Sequence, residues 1–251
     1  ATLNGQKIVI VGGSSGIGLQ LAKTVLGHNN TVIIWGRSES KLKAARLLLP
    51  NVETIQSDIT SAIDRQRLIT MVYESHPDCS VLINNAAIVH KTNFKDDGQM
   101  IEKAEAEIKT NFEAPIVLSK LFLDHIANRH ETGIINITTG LVFAPRAVYP
   151  IYNATKAGLH AFTQVLRLQL RNEYTNIIEV MMPVVDTPWH RGDVPKLAIS
   201  PQKAVEEMVR EIEKGKQEIR VGAVRTLYLL WRISPQLALR VINNIDNKKP
   251  Q

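Results

Sequence analysis

Short apolar runs, each followed by a longer stretch of helical periodicity, constrain this chain more than any other feature. Residues 7–11 (KIVIV), 31–35 (TVIIW), 52–56, 81–84 and 134–138 (IINIT) have strand length. Several are apolar without alternation, the mark of strands buried on both faces. Between them, 17–26, 40–49, 61–75, 98–127 and 152–173 read as amphipathic helices, with an interruption allowed inside 98–127. Residues 177–182 supply a sixth strand and 218–221 a short seventh, and Ser200-Pro201 reads as the N-cap and first position of a helix to residue 214. Strands that alternate with helices need crossover connections, so the expected class is α/β, a doubly wound parallel sheet covered on both sides. No internal repeat or low-complexity linker breaks the pattern, and 251 residues suffice for one such core, so residues 1–251 are expected to form a single domain.

The handover from the first strand to the first helix reads VGGSSGIG, residues 11–18. A glycine cluster there can be a bare turn. Set between a strand and a helix, it fits a dinucleotide better: glycines let the backbone approach a pyrophosphate, and the helix N-terminus supplies N–H groups and a favourable dipole. Gly12, Ser14, Ser15, Gly16, Ile17 and Gly18 are therefore candidate cofactor contacts. The second strand ends in WGRS. An NAD site usually places a carboxylate here to take the ribose hydroxyls; Arg37 stands instead, and a guanidinium can hold a 2′-phosphate. The competing reading is a solvated loop arginine. NADP(H) is the expected cofactor.

Tyr152 and Lys156 are four residues apart and share a helical face. A phenol near pKa 10 is a poor proton shuttle at neutral pH, and a lysine cation one turn away favours its ionised form. Tyr149 has no cation at that offset and is expected to line the pocket.

With the glycine loop and Tyr152-x-x-x-Lys156 in place, the chain resembles the short-chain dehydrogenase/reductase family, whose fold is Rossmann-type, over nearly its whole length. Further motifs in register are NNAA (84–87), KTNFEAP around Asn111, NITTG around Thr139, SDIT around Asp58 and MPVVDT (182–187). The tracts AVYPIYNATKAGLHAFT, PVVDTPW and LYLLWRISPQLALRVIN are similar, more narrowly, to the DltE-like bacterial oxidoreductases. The resemblance implies hydride transfer between a nicotinamide and a carbonyl or secondary alcohol. Tyr152 would be the proton donor and acceptor, and Thr139 would orient the substrate oxygen. Lys156 would lower the tyrosine's pKa and reach the nicotinamide ribose, while Asn111 would hold a water that connects the lysine to solvent. It also implies cofactor contacts at Asp58, on the adenine, and at Asn84, Ala86, Val185 and Thr187.

Three positions depart from the family pattern. Val11 replaces a threonine, Ala87 a glycine in a turn, which requires a negative φ there, and Thr139 the usual serine. Threonine keeps the hydroxyl but restricts χ1 and narrows the pocket.

Composition separates the remaining classes. The net charge of +6 lies in residues 214–251, which hold eight Lys or Arg against two acids, so the fold itself is balanced and lacks a nucleic-acid footprint. Seven histidines show no paired metal-ligand spacing, so no metal is expected; His90 and His190 read as polar loop residues near the pocket mouth. The single cysteine, Cys79, reads as structural and suits a reducing compartment, and neither a leader nor a membrane-spanning run is evident, so a cytoplasmic location is expected. Residues 188–199 are expected to form a substrate lid and 224–245 basic amphipathic helices. Partners are expected to be a small carbonyl or alcohol and further copies of the chain, as a homodimer or homotetramer paired through 98–127 and 152–173. A peripheral membrane contact of the C-terminal helices is the less favoured reading. The rival from another class is a non-catalytic, NADP(H)-responsive binding protein.

Overall fold

The structure is a computed structural model that describes residues 3–126, 131–190 and 195–244. Its strands are β1 (Lys7–Val11), β2 (Thr31–Gly36), β3 (Glu53–Gln56), β4 (Val81–Asn84), β5 (Thr132–Thr139), β6 (Thr175–Met182) and β7 (Glu218–Arg220). All pair in parallel, in the order β3-β2-β1-β4-β5-β6-β7. The direction of winding reverses between β1 and β4. In such sheets the crevice outside the carboxyl ends of those two strands is the place where ligands bind.

The helices are α1 (Gly16–Leu26), α2 (Glu39–Leu48), α3 (Ala62–Ser75), α4 (Met100–Ile108), α5 (Ala114–Ile126), α6 (Pro150–Gln169), α7 (Pro201–Glu213), α8 (Val224–Ile233) and α9 (Pro235–Asn243). Alternate residues of each strand feed two separate cores. Ile8, Ile10, Ile34, Ile83 and Val180 pack against Leu21 and Val25 of α1 and Val205 and Met208 of α7. Val9, Val11, Ile33, Leu82 and Ile134 face Leu68 and Val72 of α3 and Leu118 and Phe122 of α5. This burial on both faces is why the strands read as unbroken apolar runs.

Boundaries differ from the sequence expectation where polar pairing takes over from hydropathy. β5 starts at Thr132 and β6 at Thr175, because the two threonine hydroxyls meet at 2.9 Å and Gly133 N–H donates to Ser80 O. α6 starts at Pro150, whose fixed φ and missing N–H suit a first helical position. The interruption allowed inside 98–127 is a π-helical turn, Lys109–Glu113, between α4 and α5; Ala127 lies outside the described residues. Ser200 and Ser234 cap α7 and α9 through their hydroxyls, which accept from Lys203 N–H and Leu237 N–H. Among the described residues no helix is long and apolar enough to cross a membrane.

Candidate active site

The glycine loop closes between β1 and α1. Gly12 and Gly16 have φ of +77° and +54°, a region that disfavours other residues. A Cβ at Gly12 would lie 2.7 Å from Ala86 Cα, and one at Gly18 would lie 2.2 Å from the Gly12 carbonyl oxygen. The loop therefore sits tight against the turn after β4. Asn85, which sequence reasoning passed over, fastens the two: its Nδ2 donates to Gly12 O at 2.9 Å. The second asparagine of NNAA was the available signal. Ser15 is the N-cap of α1, yet its side chain caps nothing, so the first-turn N–H groups stay open. Thr187 lies against the same spot, since its Cγ2 would be 3.4 Å from a Cβ at Gly16. These groups could hold a pyrophosphate.

Arg37 follows β2 with an exposed side chain, and its charge acts on Asp58. Partial burial pushes the Asp58 carboxyl up, but hydrogen bonds from the N–H and hydroxyl of Thr60, together with Arg37, hold it below the ordinary value. Asn84 is placed differently from Asn85. Its Nδ2 donates to Asn136 Oδ1 at 2.8 Å and Asn136 in turn to Thr163 Oγ1 at 2.9 Å, a buried ladder that ties β4, β5 and α6 together. The Asn84 side chain thus serves the scaffold. Ala87 has no positive φ, which removes the concern over its replacing glycine; Asn29 and Glu131 are the non-glycine residues with positive φ among those described. Cys79 is buried, as expected of a structural thiol.

Thr139 ends β5, and Tyr152 and Lys156 face it from the first turns of α6. Thr139 stands close enough to Tyr152 for its side chain to act on the phenol's pKa. Lys156 is 2% exposed; its Nζ donates to Ile137 O at 2.8 Å and stands 6.0 Å from the Tyr152 ring centre. Burial pushes the Tyr152 phenol up to about 12, with Glu107 and Tyr149 adding to the rise and the Thr139 side chain opposing it. Lys156 is itself brought down to about 8, because burial penalises its charge more than Glu179 supports it. The ammonium is directed at a backbone carbonyl, and low solvation governs both groups.

Asn111 lies in the π-helical turn with none of its surface exposed. Its Oδ1 accepts from Ile88 N–H at 2.8 Å, and its Nδ2 donates to Ile88 O at 2.7 Å and to Thr155 Oγ1 at 3.3 Å. Both amide hydrogens are thereby committed to fixing the loop after β4, next to α6. His90 in that loop is also fastened, its N–H and Nδ1 meeting Glu107 Oε1 at 2.8 and 2.7 Å. Burial of Glu107 pushes its carboxyl up, against the hydrogen bonds of His90. Neither the pairing nor the burial of Glu107 could be read from the chain.

Over the tyrosine, the rings of Tyr149 and Trp189 form a wall, each 6.3 Å from its neighbour: Tyr149 meets both Tyr152 and Trp189 edge-on. Residues 188–190 form a short 3-10 turn, fixed by His190 N–H on Thr187 O and by His190 Nε2 against Val185 O. Val185 pairs with Ile199, which closes the base of this segment. Residues 191–194 of the expected lid lie outside the described residues.

Residues 6–197 match the short chain dehydrogenase family, and the chain belongs to that family. The narrower likeness also holds: over 217 residues, 84% of this chain and 86% of the relative, it is 41% identical to the protein named uncharacterized oxidoreductase DltE from Bacillus subtilis (strain 168). A short chain dehydrogenase from Burkholderia cenocepacia J2315, solved in complex with NADP, superposes with a TM-score of 0.84 over 100% of both chains at 21% identity. Another from Sphingobium yanoikuyae, in complex with NADPH, gives 0.78 over 93% of this chain and 95% of that one at 23% identity.

Proposed function

We propose that the protein is an NADP(H)-dependent oxidoreductase that interconverts a carbonyl compound and the matching secondary alcohol, with Tyr152 as the acid and base. The observation that carries this reading is the grouping of buried Thr139 and Lys156 with half-buried Tyr152 at the carboxyl end of β5, within the crevice that the glycine loop also borders. A dinucleotide fits the residues present: the Gly12–Gly18 cradle leaves room only for backbone, and the open N–H groups of α1 suit a pyrophosphate. Arg37 would take the 2′-phosphate, and two structural neighbours were solved with NADP or NADPH.

When bound, the nicotinamide supplies the hydride to the carbonyl carbon or removes it from the alcohol. Thr139 donates a hydrogen bond to the substrate oxygen and sets its distance from Tyr152. The Tyr152 hydroxyl, protonated at neutral pH, gives its proton to that oxygen as negative charge develops, and takes it back in the reverse direction. The Lys156 ammonium, charged below about pH 8, stabilises the phenolate left behind. Asn111 keeps the loop after β4 against α6, and Tyr149 and Trp189 shield the oxygen from water. Pairing of subunits through α4–α5 and α6 is supported by exposed apolar side chains there, among them Ile101, Val165 and Leu168.

A panel of ketones and aldehydes with NADPH tests the activity. The expected result is turnover that Tyr152→Phe abolishes while cofactor binding, followed by fluorescence, persists. Tight NADPH binding with no turnover on any carbonyl or alcohol, alongside a cofactor-dependent partner, would instead favour a binding protein.

A further inference from the structure

Thr139 and Tyr152 sit at the two ends of one connection, residues 140–149, which runs from β5 to the start of α6. The C-terminal helices lie along that connection. A Cβ on Gly140, the residue after Thr139, would be 2.9 Å from Val224 Cγ2 at the start of α8. Val224 is buried, and the Phe143 ring stands 4.9 Å from that of Tyr228 and 5.5 Å from that of Trp231. α9 packs against α8, with Ala238 wholly buried, and its last residue, Asn243, reaches the far end of the connection. Asn243 Oδ1 accepts from Ala147 N–H at 2.7 Å, and Nδ2 donates to Pro145 O at 2.9 Å and to Leu239 O at 2.8 Å.

A carboxamide carries two donor hydrogens and an acceptor on one planar group. Both hydrogens and the oxygen of Asn243 are spent on backbone groups. The two residues it grips on the connection flank Arg146, which is buried. The Arg146 carbonyl accepts from Tyr149 N–H at 3.1 Å and from Asn153 Nδ2 at 2.6 Å, and so fastens the first turn of α6. The Arg146 guanidinium lies 5.3 Å from the centre of the Tyr149 ring, which meets Tyr152 edge-on. From the other side, Thr92 N–H donates to Val148 O at 3.0 Å, so the loop after β4 supports the same turn. The entry to α6 is held from two sides.

We propose that Asn243 is a positioning residue for the reaction: by bridging Pro145 and Ala147 it fixes the turn that begins α6, and so sets Tyr149 and Tyr152 against Thr139. This rests on the reading of Tyr152 as the acid and base. Misplacing a reacting group by about 1 Å can cost roughly 10²-fold in rate, so the effect belongs in kcat. The glycine loop that would take the cofactor is built on β1 and α1, so NADPH binding should be spared. An asparagine that merely ended α9 would change stability alone.

The test uses the full chain with NADPH and a carbonyl that it reduces. Asn243→Ala should lower kcat roughly tenfold or more, while the Kd for NADPH, followed by fluorescence, stays the same. Amide exchange at Ala147 and Tyr149, read by NMR, should quicken. Asn243→Asp keeps the acceptor for Ala147 N–H but not the donor to Pro145 O. It should fall between the wild type and the alanine variant, and it carries the test should the latter fail to fold. Ser234→Ala is the stability control. It removes the hydroxyl that caps the start of α9, accepting from Leu237 N–H at 3.3 Å, and leaves the bridge untouched. This control should unfold earlier and keep its kcat. Undiminished kcat in folded Asn243→Ala, or an equal loss in Ser234→Ala, overturns the proposal even if turnover depends on Tyr152. Undiminished turnover in Tyr152→Phe would overturn the activity reading instead. Faster exchange at Tyr149 in Asn243→Ala would then leave the bridge standing, and unchanged exchange would overturn it too.

Discussion

Lys156 Nζ donates to the carbonyl oxygen of Ile137 at 2.8 Å, from a side chain almost wholly removed from solvent. The contact keeps the ammonium in the site but does not repay its desolvation, and the group falls from 10.5 to about 8. A base with a depressed pKa in the folded state binds fewer protons there than in the unfolded chain between the two values. The penalty is therefore fully present below about pH 8 and relieved as pH rises toward 10.5, where the unfolded chain also deprotonates. Relative to Lys156→Met, the wild type should gain stability across that window, by on the order of 3 kcal/mol. Urea denaturation of both proteins at pH 7, 8, 9 and 10 measures it, and a difference that stays flat would refute the account.

Gly18→Ala should be strongly destabilising. The new methyl would stand 2.2 Å from Gly12 O and 2.6 Å from Asn85 Nδ2, and a backbone carbonyl cannot step aside cheaply. A loss of roughly 2 kcal/mol or more is expected from such overpacking. Gly98→Ala is the control, since its Cβ meets nothing within 4 Å. Thermal unfolding should separate the two by several degrees.

At Thr139 the hydroxyl matters more than the methyl. It accepts from Leu141 N–H at 3.3 Å and acts to lower the Tyr152 phenol's pKa. Thr139→Ser should retain activity within a few-fold, while Thr139→Val, similar in shape but without the hydroxyl, should lose roughly 10²-fold in kcat. Equal rates for threonine and valine would remove this residue from the mechanism.

Arg37→Asp should weaken NADPH binding by roughly 10²-fold and leave NADH little changed, because the new carboxylate repels the 2′-phosphate that the guanidinium would hold. Asp58 should at the same time lose part of what keeps its carboxyl low, as Arg37 is one of the charges acting on it. Fluorescence titration with both reduced cofactors decides the matter. Tighter binding of NADH in the unmodified protein would sink the preference.

The C-terminal helices leave Leu229, Ile233, Leu237 and Val241 exposed beside Arg225, Arg232 and Arg240. Light scattering of the intact protein should report a dimer or tetramer, and flotation with anionic vesicles should recover no protein at physiological salt. Flotation that salt reverses would favour the membrane contact instead.

The order of elements was legible in the chain because both determinants are local. A parallel strand buried on two faces must be apolar throughout, as KIVIV and TVIIW are, and a cap such as Ser200-Pro201 acts within one turn. The candidate site was legible as a set of motifs, since Gly12–Gly18, Thr139, Tyr152 and Lys156 recur at fixed spacings. Tertiary structure alone decided what surrounds them. That Asn85 rather than Asn84 reaches the glycine loop depends on which way each side chain leaves the end of β4. That Tyr152 lies near 12 and Lys156 near 8 depends on desolvation, which arises only when α6 closes on β5. The pairings of Glu107 with His90 and of Glu179 with His160 and Thr138 join residues that are distant in the chain. Spacing along a helix specifies which side chains share a face, but the charge they carry is set by the neighbours that other strands bring and by the water the fold excludes.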